Sequence, residues 1–371
     1  MIPQDLAPTR EAALARLAAV DAAAYARSRN HLQGAVTGLS PYLTHGLLTV
    51  PECLAALGLP PQHKLVYEFG WREFFRHVWD HRGEAIFRSL HEGPLPDAAY
   101  LRELPQDIRQ GATGVPVVDQ AVRTLYATGT LHNHARMWLA SYVVHGRKVH
   151  WRAGADWLYA HLLDGDLASN HLSWQWVAGT GSHKPYLFDA ANVARFAPRD
   201  WHSWGSAIDL SYEAWDALAR RSDRLPAGQG GGGLDEPALL HRPTTGVRPE
   251  AFQAAEVWLA HPWALGEPPP GVQVVGVVIT EAHRQRPWSE RRWQWVTARL
   301  AGLSDELWVG SAAEVAAALA GVPRVLTLAN PHVDPWLPKG AELLPEARHF
   351  KSVSPVCGSF SRWWERVQRR T

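Results

Sequence analysis

Between residues 162 and 188 the chain reads LLDGDLASNHLSWQWVAGTGSHKPYLF, which sets Asp, Asn, His and Trp where helical spacing calls for apolar residues. Asp164, Asp166 and Asn170 fall within two helical turns, and Trp174 and Trp176 follow at once. Upstream, HNHARM at 132–137 adds Asn133, Arg136 and Met137. On a helix that reads as buried, each of these polar groups needs a partner, because an unpaired one costs free energy. Any one of them is explained by a satisfied core network; the whole set in one window points to a built site.

Length, charge and cysteines narrow the options. A chain of 371 residues has room for two domains, the larger with a sizeable core. Its 37 Lys+Arg balance 36 Asp+Glu, so any grip on nucleic acid has to come from a local basic patch. Cys53 and Cys357 lie far apart without metal-ligand spacing, so no metal site is expected, and a reduced cytoplasmic compartment fits. The start, MIPQDLAPTREAALARL, has early acids and no long apolar run, so neither signal peptide nor anchor is expected. The longest apolar run, VQVVGVVIT at 272–280, is too short to span a bilayer. Nineteen tryptophans suit packing and stacking on flat ligands equally well.

Residues 9–29 read as one amphipathic helix with Thr9 as N-cap, and Tyr25 and Arg29 share a face. In TGLSPYLTHGLLTV at 37–50, Ser40 reads as an N-cap before an N1 proline, a turn that offers backbone donors to an anion. A helix from His63 to Arg88 carries Glu68, Trp71, Arg72 and Phe75 in one stripe, and neither the Glu nor the Arg is cheaply buried alone. Further helices are expected from Pro116 to Gly129, Leu131 to His145, Trp151 to Leu163, and around Trp174. Residues 1–220 therefore read as an all-α domain. A linker over 221–270 contains AGQGGGG at 227–233 and one helix, Glu250–Ala260. Over 271–371 the period switches: VQVVGVVIT, ELWVGS, RVLTLAN and HFKSV read as short strands among helices near 289–301, 311–320 and 359–369. That pattern predicts a small α/β domain with a short parallel sheet. It carries neither G-x-G-x-x-G nor a phosphate-loop fingerprint.

Over roughly residues 25–200 the ordered motifs resemble the FAD-binding domain of the photolyase/cryptochrome family. VTGLSPYLTHG is similar to that family's T-S-x-L-S-x-Y-L-x-x-G turn, which holds the FAD pyrophosphate; here Val36-Thr37 stands for Thr-Ser. EFGWREFFRH resembles E-x-x-W-R-E-F, HNHARM resembles H-N-R-x-R-M, and WRAG with DGDLASNHLSWQW resembles W-R-x-G and D-x-D-x-A-x-N-x-x-x-W-Q-W. The resemblance implies FAD as cofactor, contacted by Tyr25, Thr37, Leu39, Ser40, Arg72, Arg136, Asp164, Asp166 and Asn170. In that reading Asn170 lies beside flavin N5, Asp164 pairs with Arg136, and Asp166 accepts from the flavin imide N–H. No α/β antenna domain precedes residue 25, and an α/β segment follows instead, which leaves an antenna chromophore in doubt.

The activity that the resemblance implies is light-driven repair of cyclobutane pyrimidine dimers by electron transfer from reduced FAD to a flipped-out lesion. Glu68 would hydrogen-bond the flipped pyrimidines, and Trp71 and Trp176 would wall them, with Met137 beside them and Arg29 on phosphate. Asn133 favours a cyclobutane-dimer enzyme, because the (6-4) branch typically has His there. Trp174 and Trp151 match the first two tryptophans of the family's electron chain; the third falls near Ala98, with Tyr100 as a stand-in. The expected partner is UV-damaged DNA, met by a monomer without membrane contact. The alternative is a cryptochrome-like blue-light receptor that keeps the flavin and signals without repair. A flavin oxidoreductase without light chemistry explains neither Trp71 nor Trp176.

Overall fold

A computed structural model describes residues 6–228 and 233–369; part of the expected glycine-rich linker, residues 229–232, lies outside the described residues. Thr9 caps α1 (Arg10–Ala18) by accepting the Ala12 N–H at 3.1 Å. The single helix expected over 9–29 is in fact two, because Asp21 accepts the Ala24 N–H at 2.8 Å and starts α2 (Ala22–Ser28). A side-chain cap gives the backbone a partner outside the helix ladder, and apolar periodicity carries across such a break unchanged. After α3 (Ser40–Thr44), a reciprocal Thr49/Glu52 capping box opens α4 (Val50–Leu57). The long α5 (Lys64–Arg82) is capped by His63 and ends six residues before the expected Arg88, in a 3₁₀ turn.

Next come α6 (Gln106–Arg109) and α7 (Pro116–Thr128), the latter closed by Gly129 in the left-handed region at φ 67°. α8 (Asn133–Ser141) runs into a π turn at Tyr142–Gly146. α9 (Trp151–His161) and α10 (Leu167–Ala178) pack closely, since a Cβ on Gly154 would lie 2.4 Å from the Trp174 ring. Two shorter helices, α11 (Ala190–Phe196) and α12 (Tyr212–Ala219), complete the first part. Among the described residues no strand precedes Leu239.

The C-terminal part is α/β. β1 (Leu239–Leu240) pairs with β4 (Trp288–Ser289), while β2 (Glu256–Ala260), β3 (Gln273–Ile279), β5 (Leu307–Gly310), β6 (Arg324–Leu328) and β7 (Glu342–Leu344) form a parallel sheet. Its order is β5-β3-β2-β6-β7, so the strand order reverses between β2 and β6. Helices α13 (Glu290–Leu303), α14 (Ala312–Ala318) and α15 (Phe360–Gln368) accompany it.

Two expectations fail here. The helix expected over Glu250–Ala260 is the central strand β2, whose residues Val257 to Ala260 are buried throughout. A strand buried on both faces shows no alternation, so its period cannot be told from that of a buried helix. HFKSV is not a strand either, and the last strand is β7. The N–H groups of His349 and Phe350 donate to the Glu73 carboxylate of α5 (2.7 and 3.0 Å) instead of to a neighbouring strand.

The sheet is not a free-standing unit. One continuous apolar cluster joins Leu39, Tyr42 and Phe69 of the helical part to Val257, Val278 and Trp293 of the α/β part. A second cluster, holding Val118, Trp138, Trp151 and Trp174, lies within the helical part alone. Burial at about 1.5–3 kcal/mol per large side chain makes the first cluster a strong bond between the two parts.

Candidate functional site

The α5 stripe faces α2. Arg29 Nε lies 3.4 Å from Glu68 Oε1 and Lys64 Nζ lies 2.9 Å from the same oxygen, with the Glu68 side chain 30% exposed. Tyr25 sits beside this pair, its phenol raised by burial and then by the Glu68 charge. Trp71 is partly exposed, and one ring face is stacked on Phe360 of α15 at 4.1 Å and 10°. Phe360 is itself buried. The sequence placed α15 as a helix but held no sign of which surface it covers.

The 36–46 turn sits next to this stripe. Ser40 does not cap α3 as expected; it is the first helical residue and exposed, Leu39 holds the cap position, and no side chain caps the helix. Leu39 is fully buried, and Thr37 Oγ1 accepts a long bond from the Leu39 N–H (3.4 Å). Arg72 NH1 reaches Thr44 Oγ1 at 3.4 Å, and Thr44 in turn donates to the Asp164 carbonyl at 3.3 Å. The turn is thereby tied to the Asp164-Gly165-Asp166 segment 120 residues away.

At that segment Arg136 NH2 donates to both Asp164 oxygens at 2.9 Å, and its Nε donates to the Leu131 carbonyl at 2.8 Å. The pairing expected between Asp164 and Arg136 is therefore present. Asp166 is buried, and its oxygens are engaged within the protein. Oδ1 accepts the Ser169 N–H at 2.8 Å as the α10 cap, and Oδ2 lies 3.4 Å from Arg76 NH2 and 3.7 Å from His332 Nε2. Burial would raise this carboxyl, but the Arg76 and Arg72 cations hold it well below the usual carboxylate range. Asn170 donates its Nδ2–H to the Ala155 carbonyl at 2.8 Å, which leaves Oδ1 as its acceptor for a ligand N–H.

The outer residues differ in exposure. Asn133 is exposed, with Nδ2 3.8 Å from Met137 Sδ, and Trp176 is 38% exposed against Tyr186 at 5.8 Å. Trp151 and Trp174 are each 2% exposed. From Trp151, which donates to Ser89 Oγ at 3.0 Å, rings continue through His150 (5.6 Å) to Tyr100 (6.3 Å from His150). Tyr100 is partly exposed, and burial with Asp97 raises its hydroxyl to about 12. Among the described residues no cluster of His, Cys, Asp and Glu suits a metal ion. No helix there is long and apolar enough to cross a membrane.

These residues fit FAD at most points. The Arg72 cation and the Thr37 and Ser40 hydroxyls could hold phosphate, while Arg136–Asp164 and the Asn170 amide could meet the polar edge of the ring system. Asp166 fits less well, because Arg76 already takes its second oxygen. Sequence reasoning missed Arg76, His332, Arg292 and Glu73, since each acts on a residue remote in the chain. A cavity of about 190 Å³, lined by Tyr126, His161 and Arg291, lies apart from this group and is smaller than ordinary cofactor sites.

Residues 65–201 match the family described as the FAD binding domain of DNA photolyase. A deoxyribodipyrimidine photo-lyase of Streptomyces griseus is 36% identical over 166 residues, 43% of this chain and 35% of that protein. A cryptochrome DASH of Idiomarina loihiensis is 31% identical over 212 residues, 53% of this chain and 47% of the relative. A solved cryptochrome of Synechocystis sp. PCC6803 aligns with a TM-score of 0.45 at 27% identity, covering 53% of this chain and 46% of that one. The chain thus spans between a third and a half of the length of these relatives. FAD, the cofactor expected from the sequence, is the ligand this domain family is described by.

Proposed function

From the match of residues 65–201 to the FAD binding domain of DNA photolyase, we propose that the protein uses bound FAD and light to reopen cyclobutane pyrimidine dimers in DNA. One observation carries this reading. Glu68, Trp71, Asn133, Arg136, Met137 and Trp176 are partly or fully exposed, while Asp166, Asn170, Trp151 and Trp174 lie buried. That split supports a reading in which a base meets the outer residues and a cofactor the inner ones.

A bound reduced flavin supplies the light-driven electron that the side chains cannot. The protein contributes position and charge. Arg72 with Thr37 and Ser40 would hold the diphosphate, and Asn170 Oδ1 would accept from the ring. Enzymes that act on a base inside a duplex first extrude it, photolyases among them. Trp176 and the exposed part of Trp71 would offer the extruded bases stacking surface, and Glu68 offers a carboxylate held by Arg29 and Lys64. A nearly neutral chain must grip DNA through a few such local cations, so binding weakens steeply with salt.

The second reading is a blue-light receptor that keeps FAD and does not repair. In its favour stands Phe360, which occupies one face of Trp71. An oligonucleotide with one cyclobutane thymine dimer, FAD-loaded and pre-reduced protein, and blue light separate the two. Repair predicts loss of the dimer, and a lower yield for Glu68→Ala with the flavin spectrum unchanged. If the wild type neither repairs nor prefers the damaged strand, the receptor reading replaces it.

A further inference from the structure

The carboxyl edge of a parallel sheet, at the point where strand order reverses, is where α/β domains keep their ligand crevice. In this protein that edge is filled by its own side chains. His261 after β2 bonds the Leu328 carbonyl at the end of β6 (2.8 Å). Trp263 lies between His332 (4.8 Å, 18°) and His283 (5.5 Å, 7°), with Trp288 edge-on at 5.4 Å. The filled edge is pressed against the turn Asp164-Gly165-Asp166 of the helical part.

Two residues make that contact. His332 donates from Nδ1 to Asn330 Oδ1 at 2.7 Å, so its Nε2 is the acceptor for the Leu167 N–H at 3.1 Å. Arg292 of α13 is fully buried; NH1 donates to the Tyr159 carbonyl at 2.9 Å and NH2 to the Gly165 carbonyl at 2.6 Å. Its guanidinium lies 3.8 Å over the Trp288 ring and 4.7 Å over Tyr159. Gly165 is required under it, since a Cβ would come within 2.4 Å of NH1 and 2.7 Å of the Tyr159 carbonyl. Among the described residues no carboxylate pairs directly with Arg292: Asp164 has Arg136, and Asp166 has Arg76. A buried cation without its own counter-ion is costly to keep. What it does here is fix two carbonyls of the turn and set a positive charge beneath two carboxylates.

We infer that the C-terminal α/β domain is a working part of the flavin site, with Arg292 and His332 as positioning residues for the aspartate turn. This rests on the FAD reading above. The domain is then a clamp whose own crevice is closed, and not a second module that carries a ligand of its own. Arg292 sets the shape of the turn through its two hydrogen bonds, and the electron affinity of a ring beside the turn through its charge.

Hydrogen exchange on the FAD-free protein reads the first role. Exchange of the 159–170 amides should quicken about tenfold or more in Arg292→Met and His332→Phe, as expected for loss of one or two hydrogen bonds. The α7 amides should stay as in wild type. On the FAD-loaded protein, Arg292→Met should weaken FAD binding and lower the flavin reduction potential. Arg292→Lys, which keeps the charge and loses the planar fork, should restore the potential but not the exchange protection. If Arg292→Met fails to fold, His332→Phe carries the exchange test. Wild-type exchange in both variants, or unchanged FAD affinity and potential in Arg292→Met, overturns the inference. If wild type binds no FAD, the flavin reading fails and the clamp stands or falls on exchange alone.

Discussion

Asp166→Asn keeps the shape of the side chain and the α10 cap, because an asparagine oxygen accepts the Ser169 N–H equally well. What it removes is the negative charge facing Arg76 and His332. Arg76 is 6% exposed and would keep Glu346, at 3.2 Å. Stripping one partner from a buried ion pair costs about 3–5 kcal/mol when the other charge is left alone. Since Glu346 still offsets Arg76, the expected loss is about 3 kcal/mol, the low end of that range. Urea unfolding of the FAD-free protein, followed by tryptophan fluorescence, measures it. A drop of that size marks Asp166 as a tie between α5, α10 and the C-terminal domain, with FAD affinity falling as a consequence. FAD-free stability within about 0.5 kcal/mol of wild type, the range of neutral surface changes, would refute this reasoning and leave Asp166 as a ligand group only.

Three further outcomes follow. Trp174→Phe should sharply slow light-driven reduction of bound FAD without loss of the cofactor, and Tyr100→Phe should slow it if the rings through His150 carry the electron onward; equal rates in either variant remove that residue from the route. Burial lowers His45 to about 3 and His132, His145 and His261 to about 4. Their folded values lie below the unfolded one of about 6.5, so the stabilisation is whole above that pH and is lost as pH falls toward the folded values. The loss is on the order of 2 kcal/mol per histidine near pH 5, so a melting temperature that stayed level from about pH 6.5 to 4.5 would contradict it. Phe360→Ala should uncover the Trp71 face it covers and tighten binding to dimer-containing DNA, at a stability cost of about 3–5 kcal/mol; unchanged or weaker binding by the folded variant shows that Phe360 does not compete with a base.

What could be read from the sequence was what neighbours in the chain decide. The Thr9 cap, the α7 limits at Pro116 and Gly129, and the Asp164–Arg136 pair all rest on local signals or on an ordered motif series. β2 reads as a helix in sequence because a strand buried on both faces has the same apolar run as a short helix. HFKSV reads as a strand because nothing nearby in the chain shows that the His349 and Phe350 N–H groups go to Glu73, 276 residues or more away. Arg292, His332 and Phe360 were invisible as site residues for the same reason. Each looks like an ordinary member of an amphipathic helix or loop until folding sets it against Gly165, Asp166 or Trp71.

We propose that FAD sits among Tyr25, Arg72, the Arg136–Asp164 pair and Asn170. An absorbance spectrum of the purified protein tests it most directly, with the released cofactor counted against protein. The account predicts a yellow protein with one non-covalently held FAD per chain, whose flavin bands bleach on illumination with a reductant. A folded protein that takes up no FAD from excess and shows no flavin absorbance contradicts it.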